Sequence, residues 1–361
     1  MIEEGLKLTS YFGERQRVGE AFLADALADL YERHEIAASV VVRGVEGFGL
    51  KHHLRTDHSL TLSEDLPLVS AAVDRPPRIE ALLEETRLLD GPGLVSLERV
   101  RLLTGEVGRE GLPGELRGGA KLTIYLGRRE KVFRVPAFVA VCDLLHRRGV
   151  AGATAFLGVD GTAHGRRERA RFFGRNADVP MMVIAVGTGE QIDGVLPELG
   201  ALLRRPLINL ERVRVCKRDG VALADPQVPH GVDEHGMALW QKLTVYTSEA
   251  AEYRGQPVHR AITRRLRSAG MSGATTLRGM WGFYGDHAPH GDRLVQVGRR
   301  VPTVTIVIDT PEQIARAYGV VDELTDGSGL VTSETIPAMR SSDGRDHRGG
   351  LRLATRHLPR P

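Results

Sequence analysis

A glycine-rich motif occurs three times in the sequence and is the first candidate for chemistry. It reads RGVEG at 43–47, LGVDG at 157–161 and RGMWG at 278–282. Glycine permits positive φ and lets backbone N–H groups approach an anion closely. Turn geometry alone accounts for such glycines equally well, so the motif becomes informative through its repetition at one place in the chain.

The residues that follow each motif differ in kind. The first loop carries lysine, arginine and histidine, the second carries arginines, and the third carries aromatic residues. Arginine suits phosphate and aromatic rings suit a base, which predicts an anion or nucleotide site. The alternative is a solvated, mobile loop. The predicted ligand-binding residues are Arg43, Gly44, Gly47, Phe48, Gly49, Lys51, His52, Arg55, Arg166, Arg167, Arg169, Arg278, Gly279, Gly282, Phe283, Tyr284 and Gly285.

Metal binding and catalysis have less support in the sequence. His52, His53 and His58 could ligate a metal, but no second spaced set of ligands accompanies them, and no metal is predicted. There is no GxSxG, no Walker lysine and no HExxH. We therefore expect no enzymatic activity, and a hydrolase that uses the loop histidines is the lesser alternative.

A second motif shows that the whole chain is repeated. KLTSY at 7–11 recurs as KLTIY at 121–125 and KLTVY at 242–246. The lysine lies 37 residues before the first motif glycine in each copy (7 to 44, 121 to 158, 242 to 279). The period is too long for a solenoid repeat, so the chain is interpreted as three homologous domains.

Each copy has the pattern βαββαβ. The KLTxY run alternates between two faces and indicates a strand, and residues such as Val258, Ile262 and Leu266 recur at helical spacing. This pattern predicts an α+β fold of ferredoxin-like domains, with both helices on one face of the sheet. The apolar third strands, such as 303–308, indicate burial on both faces. We therefore expect three sheets to pack around a pseudo-threefold axis within a monomeric chain.

The boundaries follow from the repeats. We infer domain 1 at 1–105, a linker at 106–118, domain 2 at 119–217, a linker at 218–237, domain 3 at 238–337 and a tail at 338–361. The tail is basic and has little apolar periodicity, so it is predicted to be disordered, either mobile or draped over the surface, and dispensable for folding.

Composition excludes several classes of protein. The 361 residues include 49 basic and 46 acidic side chains, a net charge of +3 that is too even for a typical nucleic-acid binder. The two cysteines provide no disulfide framework, which favours a reducing compartment. No signal peptide and no membrane span are evident, so a cytoplasmic location is expected.

Three segments of the first copy resemble a known family. They are YFGE at 11–14, RGVEGFG at 43–49 and LSEDLPLV at 62–69. The third copy retains RGMWGFYG at 278–285, whereas the second has Thr162-Ala163 where Phe-Gly is expected. Together these segments resemble the PII-like signalling proteins known as domain of unknown function 190, in three tandem copies.

The resemblance implies a ferredoxin-like fold, trimeric assembly and a regulatory, non-catalytic role. It also implies that a small anionic effector, with an adenine nucleotide as the candidate, binds in clefts between domains. No other cofactor is implied. The implied partner is a membrane ion transporter or channel. The alternative is a structural adaptor that binds no small ligand.

Overall fold

Three segments of the chain each contain four main strands and two helices in the same order. We call them unit 1 (2–103), unit 2 (120–212) and unit 3 (240–336). The computed structural model describes residues 2–57, 65–86, 91, 93–103, 111–163, 165–167, 179–204, 206–226, 231–285, 288–291, 301–343 and 347–354.

The bounds of the elements are as follows. Unit 1 contains β1 (Ile2–Gly13), α1 (Leu23–Arg33), β2 (Ala38–Phe48), β3 (Pro67–Asp74), α2 (Pro76–Thr86) and β4 (Gly93–Leu103). Unit 2 and the strand after it contain β5 (Ala120–Gly127), α3 (Ala137–Arg147), β6 (Gly152–Leu157), β7 (Asp160–Ala163), β8 (Pro180–Gly187), α4 (Gly189–Leu202), β9 (Leu207–Arg212) and β10 (Arg214–Arg218). Unit 3 and the C-terminal segment contain β11 (Trp240–Ser248), α5 (Val258–Ser268), β12 (Ala274–Arg278), β13 (Trp281–Tyr284), β14 (Pro302–Asp309), α6 (Pro311–Leu324), β15 (Leu330–Ile336), β16 (Ala338–Ser342) and β17 (His347–Gly350).

Local sequence explains where the later helices begin. The Thr188 side chain accepts a hydrogen bond from the Gln191 backbone N–H, and the Gln191 side chain accepts one from the Thr188 N–H. This capping box satisfies two N–H groups that a helix start leaves unpaired. Thr310 caps α6 in a similar way, with Pro311 at its first turn.

The strand order is the same in all three units. The second strand pairs with the third, the third with the first, and the first with the fourth, always antiparallel. One face of each sheet packs on its helices, as Leu122 and Ile124 pack on Val141 and Ile192. The other faces of the three sheets share one apolar cluster, to which Val40, Met182 and Val304 contribute. The fold is therefore a mixed α/β arrangement around a large antiparallel sheet.

Backbone pairing also joins the units to one another. The end of β2 pairs with β12, β7 pairs with β2, and β13 pairs with β6. A second set links β4 to β9, β10 to β15, and β16 to β4. Each set connects unit 1 with unit 2, unit 2 with unit 3 and unit 3 with unit 1. The three units are thus closed into a ring by main-chain hydrogen bonds.

The composition of the C-terminal segment predicted disorder, but part of this segment forms strands. Ala338–Ser342 pairs with the edge of β4, and His347–Gly350 pairs with it in turn. The prediction is therefore wrong for these residues. A free strand edge supplies hydrogen bonds that even a polar segment can use, so apolar periodicity is not needed for order here. The rest of the tail, from 355, lies outside the described residues.

The helices of the part of the chain that the structure describes are short or polar. None of them is long and apolar enough to cross a membrane.

Candidate functional site

A cleft opens between unit 1, unit 3 and the C-terminal hairpin. Its volume is about 180 Å³. Aromatic and aliphatic side chains form its floor, among them Tyr11, Phe48 and Ile306. The hairpin closes one side with Ser341 and Ser342. A mostly apolar concavity with a few convergent polar groups is the usual form of a small-molecule site.

The polar rim of the cleft comes from the first glycine-rich loop. Lys51 and His53 are exposed at the rim, and Arg55 is half-buried. The Arg55 guanidinium lies 2.9 Å from the Asp65 carboxylate. His52 adopts a positive φ of 53° and stacks on the Phe48 ring, with ring centroids 5.8 Å apart. The rim therefore presents the Lys51 ammonium group and polar side chains beside an aromatic floor.

The structure brings only part of the predicted site together. Gly47, Phe48, Gly49, Lys51 and Arg55 line the cleft. Because β2 continues through the first glycine motif to Phe48, the loop begins at the mouth of the cleft and not before it.

The two arginines predicted to supply charge at the loop bases face carboxylates. Arg43 donates to Glu14 from Nε at 3.1 Å and from Nη2 at 2.8 Å. Arg278 lies 3.1 Å from Asp57 and 2.7 Å from Glu249. Neither arginine is part of the cleft lining. Their charge is compensated within the protein, which sequence spacing could not reveal.

The described residues of the second loop include one that contacts unit 1. Arg167 lies 2.6 Å from Asp160 and also contacts Asp29 on α1. This Arg167 interaction joins units 1 and 2. Arg166 precedes it in the short strand Arg166–Arg167, and Arg169 lies outside the described residues.

The third loop packs against unit 2. Phe283 is buried and meets the His146 ring edge-on, with centroids 5.0 Å apart. Tyr284 is also buried, and Gly285 takes a positive φ of 58° where its N–H donates to Ala151. These residues hold two units together, so their aromatic character is explained by packing.

The motif glycines allow backbones of different units to approach. A Cβ placed on Gly47 would lie 2.7 Å from the Ala274 carbonyl oxygen. On Gly161 it would lie 2.2 Å from the Ser39 oxygen, and on Gly282 2.1 Å from the Ala153 oxygen. Gly44 and Gly279 are also crowded, the latter by Thr154 at 2.5 Å. The repeated glycines thus serve the pairing between units.

Six charged residues, for which the sequence predicted no role in a site, form a buried ring. They are the three lysines of the KLTxY motifs and three glutamates of the last strands of each unit, namely Lys7, Lys121, Lys242, Glu98, Glu211 and Glu334. Each lysine lies directly across the sheet from the glutamate of its own unit. Each also contacts the glutamate of another unit, so cations and anions alternate around the ring.

The separations within this Lys–Glu ring are short. Lys7 Nζ lies 3.0 Å from Glu98, Lys242 Nζ lies 2.5 Å from Glu98, and Lys121 Nζ lies 2.5 Å from Glu334. Burial opposes ionisation of Glu98, but the ammonium groups of Lys242 and Lys7 outweigh it and hold the Glu98 pKa well below its usual range. Burial likewise opposes the charge on Lys242, yet Glu334 and Glu98 raise the Lys242 pKa well above its usual range.

The three glutamates also have the grouping of a metal site. Their oxygens lie within 4.8 Å of one another. However, three lysine ammonium groups already bind these oxygens, and three positive charges balance three negative ones. A cation would have to displace them. The geometry therefore supports a structural role in joining the units.

Glu46 is buried where β2 of unit 1 crosses α5 of unit 3. Neither of its carboxylate oxygens has a hydrogen-bond partner among the described residues. Burial raises the Glu46 pKa to about 7, although Arg260 and Arg264 act in the opposite direction. His259 is buried nearby, and its pKa falls to about 4 because of burial and of Arg278.

Glu46→Gln is expected to remove a pH dependence of stability. Because the folded-state pKa exceeds the unfolded value of 4.5, the wild type loses stability as pH rises from about 4.5 to 7. The full loss is about 3 kcal/mol above that window. Urea unfolding at pH 5 and pH 8 would measure it, with the variant gaining stability relative to wild type only at pH 8. An equal difference at both pH values would contradict the prediction.

Comparison with known proteins agrees with the repeat. The UPF0166 protein of Aquifex aeolicus (strain VF5) is 28% identical over 95 residues, which is 26% of this chain and 88% of that protein. One family matches three separate segments, 5–102, 119–215 and 240–338. These segments cover most of the chain. The chain therefore belongs to the DUF190 family, described as "Uncharacterized ACR", and carries three tandem copies of its domain.

Proposed function

We propose that the chain is a non-catalytic, PII-like sensor that binds a small anionic effector in the cleft between units 1 and 3. The observation that carries the proposal is the cleft itself, with an aromatic floor, the exposed Lys51 and His53 at its rim, and Arg55 beside Asp65. A planar base would pack on Phe48 or Tyr11, and a phosphate would face the rim. An adenine nucleotide has both parts and is the proposed effector.

The proposal includes the architecture. A strand order of second, third, first and fourth, with all pairs antiparallel, is consistent with three ferredoxin-like domains. The cyclic pairing between units and the Lys–Glu ring support an intramolecular pseudo-trimer. A chain that supplies all three units needs no further copies, so we propose a monomer in the cytoplasm. By family resemblance, we propose that it regulates a membrane ion transporter or channel.

The three glycine-rich loops do not offer equivalent binding sites in this proposal. In unit 2 the charge of Arg167 is taken up by Asp160 and Asp29, and in unit 3 the aromatic Phe283 is buried against unit 2. Only the first loop, of the described parts of the three loops, combines an exposed lysine, Lys51, with an aromatic floor at a cleft. We therefore propose a single effector site per chain.

Calorimetry with ATP, ADP and AMP tests the effector site. Lys51→Ala is expected to weaken nucleotide binding about tenfold, because one charged contact to phosphate is lost. Arg43→Ala is the matched control: the guanidinium is bonded to Glu14 and lies outside the cleft lining, so affinity should not change. Nucleotide turnover during the titration would contradict the non-catalytic part of the proposal.

A structural adaptor without a small ligand is the second candidate. It is favoured by the motif glycines and by Phe283, which serve contacts between units. Absence of binding and of thermal stabilisation by any of the three nucleotides would leave this candidate and reject nucleotide sensing.

A further inference from the structure

Each unit has a short hairpin between its first strand and first helix. In unit 2 its arms are Lys131–Val132 and Val135–Pro136, with Phe133 and Arg134 forming the turn. The Phe133 side chain is 93% exposed, more than any other large hydrophobic side chain among the described residues. A single exposed apolar side chain is common on protein surfaces, so exposure alone assigns Phe133 no role, and the backbone and the charge of this hairpin must be considered with it.

The backbone of this turn is strained. Phe133 and Arg134 have φ of 48° and 71°, both in the left-handed region. Two-residue hairpin turns of this kind normally use glycine or asparagine, because a Cβ is disfavoured there. The corresponding turns keep a glycine, Gly19 in unit 1 and Gly255 in unit 3. Such local strain tends to persist where a residue is needed at the tip.

Charge sets the same hairpin apart from its two counterparts. Residues 128–134 contain four basic side chains and one acidic, a net of +3. The matching residues contain two of each sign in unit 1 (14–20, net 0), and one basic and two acidic in unit 3 (249–255, net −1). The aromatics of the other two hairpins lie in the arms and not at the tip, and a cation covers each of them, with Arg17 4.3 Å above Phe22 and Arg254 5.1 Å above Tyr253.

We propose that the unit 2 hairpin docks this protein on an anionic lipid surface, with Phe133 entering the headgroup layer and the exposed Lys131 and Arg134 facing lipid phosphates. An aromatic apex ringed by Lys and Arg is the composition that interfacial anchors use. The exposed apolar area, Phe133 beside Val135, is too small for a stable protein–protein interface but sufficient for shallow insertion. The proposal does not depend on the effector cleft.

Sedimentation of the full chain with vesicles tests it. Binding is expected to vesicles of phosphatidylcholine with phosphatidylglycerol, and not to phosphatidylcholine alone. Phe133→Ala should weaken the partition about tenfold. The double variant Lys131→Gln with Arg134→Gln should weaken it about twentyfold, and added salt should weaken wild-type binding in the same direction.

Phe22→Ala is a control, since it removes an aromatic from an arm of the unit 1 hairpin and not from its tip, and its partition should equal that of wild type. Phe133→Gly relieves the strained turn, so it should fold at least as stably as wild type and still lose vesicle binding. The proposal is overturned if wild type does not bind anionic vesicles. It is also overturned if the Phe133 variants bind vesicles like wild type, or if Phe22→Ala weakens vesicle binding as much as Phe133→Ala does.

Discussion

Glu98→Gln is expected to destabilise the protein by about 3–5 kcal/mol, because it leaves the Lys–Glu ring with an uncompensated buried charge. Glu98 binds the ammonium groups of Lys7 and Lys242, which belong to two different units. Both lysines are buried and have no access to water that could replace the carboxylate. Chemical denaturation monitored by circular dichroism would measure the loss.

Two further variants test whether the loss of stability comes from an unpaired buried charge or from the loss of any ion pair. Arg33→Gln removes an exposed ion pair with Glu85, 2.9 Å apart, and should cost less than about 1 kcal/mol. The pair variant Glu98→Leu with Lys242→Met removes opposite charges together. The double variant should lose less free energy of unfolding than the sum of the losses from the two single changes. In the double variant the removed carboxylate and the removed ammonium group are partners, so the ring stays neutral. A Glu98→Gln effect no larger than that of Arg33→Gln would show that the ring does not join the units.

The pH dependence of the Lys–Glu ring follows from the same shifts. The Glu98 pKa is depressed below 4.5, so its contribution is present above that pH and is lost as pH falls through the folded value. The Lys242 pKa is raised above 10.5, so its contribution is lost only as pH rises through that higher value. Glu98 and Lys242 are therefore both charged throughout the neutral range, whereas burial lowers the Lys121 pKa although Glu211 and Glu334 act in the opposite direction.

Short-range patterns were sufficient to predict the elements but not their partners. The alternation in KLTIY places Leu122 and Ile124 on one face, and these residues do pack on the helices of unit 2. Nothing local indicates that Lys121 is buried, because its partners come from β9 and from unit 3. The available signal was a pattern across copies: each recurring lysine is matched by a glutamate near the end of its unit.

The candidate site shows the same limit. The first loop was predicted to line a cleft beside a neighbouring domain, and Lys51 and Arg55 do line one that includes Thr275 of unit 3. Arg43 and Arg278 were predicted with them on charge alone. Their carboxylate partners Glu14 and Asp57 are distant in sequence, and only the folded arrangement brings them close enough to neutralise the arginines.

Gly282→Ala is expected to cost roughly 2–5 kcal/mol, because a methyl group has no room between units 2 and 3. A Cβ at this position would lie 2.1 Å from the Ala153 carbonyl oxygen and 3.0 Å from the Thr154 Cα, both backbone atoms of β6. Its φ of 150° is also one that side chains rarely adopt. The paired strands β6 and β13 must separate, so the interface between the units should loosen.

Gly319→Ala provides a control with the opposite sign. Gly319 lies inside α6 with open space around it, so alanine should stabilise the protein by about 0.5–1 kcal/mol. Hydrogen exchange should distinguish the two variants further: only Gly282→Ala is expected to accelerate exchange at the amides of 152–155 and 281–284. If Gly282→Ala is as stable as wild type and these amides remain protected, the prediction is wrong. Gly282 would then not be needed for the close approach of the two backbones.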